Sequence, residues 1–132
     1  MIEGLDPEIM KFTSLYQGPG GPRTPTHAVV HSKNQLLSIV PNAAALGINP
    51  NQIDFENEEV IIVGLGQRPS SGYKIEIKSV VYCTDRGGTL PPLTLVNYSE
   101  ETPGEIAEDV LTFPAHAIKL KKLAGAIQFN KT

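Results

Sequence analysis

Three histidines (His27, His31 and His116) and one cysteine (Cys83) are the side chains best suited to ligate a metal or attack a carbon. His27 and His31 are four residues apart. On a strand that offset puts both on one face, roughly 13 Å apart by strand rise, which is too far to share an ion. His116 can join them only through the fold, and no carboxylates at ligand spacing accompany them. Cys83 ends a face shared with Tyr73, Ile75, Ile77 and Val81, the place of a small buried hydrophobe. A nucleophilic thiol needs an activating base, and none stands near it in sequence. The reading is therefore no catalytic residues, no metal and no cofactor. The alternative is a small enzyme or metal-binding protein built on His27, His31 and His116.

Other spacings exclude familiar chemistry. Gly64-Leu65-Gly66 is not a dinucleotide loop, because Pro69 follows three residues on and a strand pattern comes next. Glu100, Glu101, Glu105, Glu108 and Asp109 cluster without the spacing of a calcium loop, which predicts a solvated acidic loop. Lys119-Leu120-Lys121-Lys122 reads as a lysine-protected sheet edge. The most suggestive surface is the run Arg68, Pro69, Ser70, Ser71, Gly72 and Tyr73. A proline-stiffened loop bearing Arg and Tyr has the anchor chemistry of a protein contact and loses little entropy on binding. The structural reading of the same run is a turn that delivers Tyr73 to a core face.

These residues need elements to position them. Residues 1–10 read as a flexible lead-in and residues 11–132 as a single domain. Lys11 to Tyr16 alternates weakly, and the stretch from His27 to His31 is a second short strand candidate. Gly18-Pro19-Gly20-Gly21-Pro22 cannot hold regular structure. Ser32 with Gln35 forms a capping-box pattern ahead of a helix near residues 33–46, which Pro41 ends or kinks. Val60 to Leu65 is continuously apolar, as in a strand buried on both faces. Residues 73–81 alternate, with Tyr73, Ile75, Ile77 and Val81 inward and Lys74, Glu76 and Lys78 outward. Further strands fall at 93–98, 117–121 and 126–129. The spacing predicts a mostly β (α+β) fold: a small β-sandwich or open barrel of about 6–8 strands with one helix.

Length and composition agree. At 132 residues with 40% hydrophobic and 19% charged side chains, the chain is neither disordered nor too short for a core. A net charge of −3 offers nothing to neutralise phosphates, so nucleic acid is not expected as a partner. No apolar run approaches the ~20 residues of a spanning helix, so no membrane partner is expected. The N-terminus as written lacks a basic start and an apolar stretch. The expectation is a soluble cytoplasmic protein, extracellular or periplasmic if a leader has been removed.

The order of features resembles the C-terminal domain of PrcB proteins over residues 10–130. The resemblance is carried by Asp54-Phe55, by the run Gly66-Gln67-Arg68-Pro69-Ser70-Ser71-Gly72-Tyr73 and by Ile75-Glu76-Ile77. Pro103-Gly104 and Pro114-Ala115-His116 are later landmarks. Ser70-Ser71 stands where the family usually has Thr-Gly, and Ala115 where an aromatic is common. PrcB is a non-catalytic subunit of a dentilisin-type surface protease complex. The resemblance thus implies a non-catalytic protein-binding domain, an accessory or assembly subunit with a protein partner and a possible homodimer. The loop is also similar to the Thr-Gly-Tyr loop of chagasin-like cysteine protease inhibitors, a further alternative.

Overall fold

The computed structural model describes residues 5–132, and eight strands and one α-helix form two sheets and a covering layer. The strands are β1 (Leu5–Met10), β2 (Thr13–Gly18), β3 (Pro25–Val30), β4 (Glu58–Leu65), β5 (Lys74–Asp85), β6 (Leu93–Glu101), β7 (Ala115–Lys121) and β8 (Ala126–Lys131). One sheet has the order β1-β5-β6-β8 and the other β2-β7-β4-β3. All pairings are antiparallel except β6 with β8. The result is an open sandwich rather than a closed barrel.

Residues 5–10, expected as a flexible lead-in, instead form β1, paired with the second half of β5 from Val80 to Asp85; residues 1–4 lie outside the described residues. After Met10 the chain passes through Lys11 and Phe12 into β2, which pairs with β7 in the other sheet. One extended run thereby edges both sheets in turn. Phe12 packs against the inter-sheet core, which anchors the crossing.

The strand from Val60 to Leu65 is buried on both faces, as its unbroken apolar run requires. Its odd positions Ile61, Val63 and Leu65 face the other sheet and meet Ile77, Val80, Val96 and Ile118. Its even positions Val60 and Ile62 face outward, where helix α1 (Lys33–Ile39) covers them with Leu36 and Val40. Helix α1 starts where Ser32 accepts from the Gln35 amide at 3.1 Å. The Gln35 side chain reaches back one residue further than a capping box requires, accepting from the His31 amide. Pro41 does end the helix, and Ala43–Leu46 resumes as a 3-10 turn, not as continued α-helix.

Two strand readings shift. A bulge between Ile77 and Ser79 breaks the alternation of β5, so Val80 rather than Val81 is fully buried in the inter-sheet core. Cys83 consequently shares the opposite face with Val81; it is buried, but not on the face of Ile75 and Ile77. The lysines of β7 do not guard an edge, because β7 lies inside its sheet between β2 and β4. Lys119 pairs with Glu58 at 3.5 Å and donates to the Gln52 carbonyl.

Thr94 faces the core opposite Tyr82 and is completely buried. Its hydroxyl has no hydrogen-bond partner among the described residues. Thr94→Val should raise stability by about 1 kcal/mol in denaturant unfolding, because it removes an unpaired polar atom while keeping the shape. An equal loss would mean that the hydroxyl is satisfied.

Candidate functional site

The loop of residues 68–73 joins β4 to β5 and is stitched to the segment 103–112. Arg68 and Thr112 exchange backbone hydrogen bonds of 2.8 and 2.9 Å. The Thr112 hydroxyl donates to the Ser70 carbonyl at 2.9 Å. The Ser71 amide donates to the Glu108 carbonyl, and the Glu108 amide donates back to the Ser71 hydroxyl at 2.8 Å. Gly72 enters β5 at φ 89°, a conformation glycine adopts freely, and a Cβ there would lie 2.8 Å from Pro103.

This locking redefines the residues singled out by sequence. Arg68 turns inward: Nη1 donates to the Leu65 carbonyl at 3.0 Å and the Gln67 carbonyl at 3.1 Å. Its guanidinium also stands 5.7 Å from the centre of the Tyr73 ring. Arg68 and Tyr73 are half-buried and brace each other, whereas Pro69 and Gly72 are exposed. Ser70 and Ser71 spend their polar groups on the facing segment. Arg68 is therefore a brace of the loop, and the exposed surface is provided largely by what the loop holds in place.

That surface lies on the acidic segment. Ile106 is 96% exposed, Leu111 58% and Val110 46%. Val110 and Leu111 border a cleft of about 790 Å³ that opens between the end of β2 and the start of β5, with Tyr16, Tyr73 and Ile75 among its walls. The acidic loop expected from Glu100 to Asp109 starts later, because Glu100 and Glu101 belong to β6, and it carries exposed apolar side chains beside its acids. Their signal was present: Ile106, Val110 and Leu111 follow Pro103-Gly104 with neither strand nor helix period.

The glycine-proline run borders the same cleft and is tied down rather than loose. The Gly20 amide donates to the Tyr16 hydroxyl at 2.7 Å, the Gly21 amide donates to the Phe113 carbonyl at 2.7 Å, and the Phe113 amide donates to the Pro19 carbonyl at 2.7 Å. Gly21 lies so close to Ala115 that a Cβ at 21 would overlap the Ala115 methyl group. An aromatic at 115 has no room beneath this crossing, which explains the alanine.

The histidines do not converge. His27 and His116 both pair across to Val63, from β3 and β7 on either side of β4. They share a face but stand two strand spacings apart, roughly 10 Å. His27 stacks on Phe129 at 4.9 Å and meets Tyr98 edge-on at 5.3 Å. His31 binds Glu59 at 2.9 Å; that carboxylate is almost fully buried and also accepts from the Leu123 amide. Among the described residues, no group of three or more His, Cys, Asp or Glu side chains is placed to hold a metal ion.

His116 is buried and joins the two sheets. Its Nδ1 accepts from the Ile77 amide at 2.8 Å, which fixes the remaining proton on Nε2, donated to the Ser14 hydroxyl at 2.9 Å. Beside it, the Gln17 amide group donates to the Ile75 carbonyl at 3.0 Å. Burial pushes the His116 imidazole below its ordinary value, against the opposing pull of the Glu76 carboxylate.

The structure thus defines a class: an open two-sheet β-sandwich with an outer helical layer and a rigid loop pair beside a cleft. The family model described as PrcB C-terminal matches residues 60–121, from β4 through β7. That stretch contains the 68–73 loop, the acidic segment and His116, and the resemblance read from Gly66 to Tyr73 holds there. No curated protein and no solved structure matches the chain. No helix among the described residues is long and apolar enough to cross a membrane.

An unfolded His116 takes up a proton near 6.5, whereas the folded side chain resists protonation to lower pH. The stability it contributes is complete above about pH 6.5 and falls as pH drops through the folded value. His116→Gln should flatten the stability profile below about pH 6.5 in denaturant titrations. His116→Leu, which strands the Ile77 amide, should cost about 2–3 kcal/mol at neutral pH. An unchanged acid slope in His116→Gln would contradict the neutral, accepting imidazole.

Proposed function

We propose that this domain is a non-catalytic protein-binding module, an accessory or assembly subunit of a larger protein complex in the manner of PrcB. The observation that carries the reading is the pairing of loop 68–73 with segment 103–112. It presents Ile106, Val110 and Leu111 to solvent on a hydrogen-bonded frame. Isolated exposed apolar residues are ordinary, but two at the border of a cleft with a third on the same segment are the composition of a contact surface. A frame already ordered before binding loses little entropy when a partner arrives. The family match supports a complex subunit, and association with a dentilisin-type protease is the narrower form of the same proposal.

The test is affinity capture with the tagged full chain from its native lysate, read by mass spectrometry. It compares the native chain with a Pro69→Asp, Leu111→Asp variant, both changes lying at exposed positions. A single enriched protein, reduced at least about tenfold in the variant while circular dichroism stays native, is the expected result. Equal capture by both proteins would place the contact elsewhere.

A further inference from the structure

We propose that the cleft between β2 and the start of β5 receives an extended segment of the partner protein, one carrying a large apolar side chain flanked by lysine or arginine. The inference rests on the binding reading of this face and names the chemistry of its occupant.

The apolar half of the requirement comes from the cleft walls. Tyr16 lines it from β2, Tyr73 and Ile75 from the start of β5, and Val110 and Leu111, both exposed, from the outer segment. Such a space admits a large aromatic or aliphatic side chain together with the stretch of backbone that carries it, and covers the exposed Val110 and Leu111.

The charged half comes from the rim. No lysine or arginine occurs between Arg86 and Lys119. Glu105, Glu108 and Asp109 are exposed on the outer loop, and Glu101 lines the cleft. The ion pairs among the described residues engage Asp6, Glu58, Glu59, Glu76 and Glu100, and none of these four. Glu76 and Glu101 line the cleft with Lys74, Glu76 is paired with Lys78, and the outer loop leading to Val110 adds three carboxylates that no lysine or arginine pairs among the described residues. A partner bringing cations relieves that repulsion, is steered toward the cleft and is distinguished from acidic competitors.

The extended form of the occupant follows from the border. β2 pairs only with β7, so its other edge is unoccupied by any strand of the described chain, and Tyr16, Gln17 and Gly18 of that edge line the cleft. An extended peptide can use such an edge for backbone hydrogen bonds while one side chain enters the pocket.

Random-peptide display against the immobilised full chain tests this, with selected peptides resynthesised and titrated by calorimetry. Enriched sequences should combine an aromatic or aliphatic residue with neighbouring lysine or arginine. Their affinity should fall roughly tenfold in Glu105→Gln, Glu108→Gln, Asp109→Asn, and should fall as salt is raised. In Leu111→Ser binding should be lost. Enrichment of acidic or uncharged peptides, equal affinity for the neutralised variant, or no enrichment would overturn the proposal. A partner protein captured equally well by the native chain and the neutralised variant, but lost in Pro69→Asp, Leu111→Asp, would overturn this inference alone and leave the broader binding reading standing.

Discussion

The hydrogen bond from the Ile77 amide to His116 Nδ1 is the constraint on which the arrangement turns. The extended run through β1 and β2 begins beside β5 and then leaves it for the other sheet, so the first half of β5 loses a neighbouring strand. A strand edge without a partner leaves backbone groups that are costly to bury unpaired. Here side chains from the facing sheet substitute for the missing strand. His116 takes the Ile77 amide and Gln17 takes the Ile75 carbonyl. The bulge at 77–79 sits at the same point, which lets β5 bend toward its new partners. The opposite open side, between β3 and β8, is joined through aromatic stacking of His27 on Phe129.

The cleft begins where this bridging stops. From Ile75 toward Ser71, the space between this segment and the end of β2 is bordered by segment 110–112. The loop pair on that side derives its order from backbone and hydroxyl contacts, with Arg68 capping carbonyls beneath it. The rigidity that stabilises the fold therefore also fixes the surface on which the functional reading rests. Chemistry-bearing side chains elsewhere are consumed by structure: His31 and Glu59 bind each other, and Cys83 is packed on the outer face of β5.

Much of this was legible in the sequence because local patterns and global packing agree. The unbroken run from Val60 to Leu65 has the length and branching of a strand covered on both sides, and Ser32, Gln35 and Pro41 bounded the helix. What escaped depended on distant partners. Residues 5–10 alternate too little to declare a strand, and β5 defines it by pairing. The bulge after Ile77 has no local signature and reverses the facing of Val80, Val81 and Cys83. Lys119 to Lys122 looked like an edge because lysines favour edges, but strand order is a property of topology. Likewise, the role of Arg68 was hidden because the carbonyls that hold it become close only once Gly66 has turned the chain.

Nuclear magnetic resonance of uniformly nitrogen-15-labelled protein at neutral pH offers the most direct test, through the coupling between nitrogen atoms across a hydrogen bond. A coupling between the Ile77 amide nitrogen and His116 Nδ1, with the ring proton on Nε2, is the predicted result. A His116 ring carrying its proton on Nδ1, with no coupling to Ile77, would contradict the account that one imidazole replaces the missing strand.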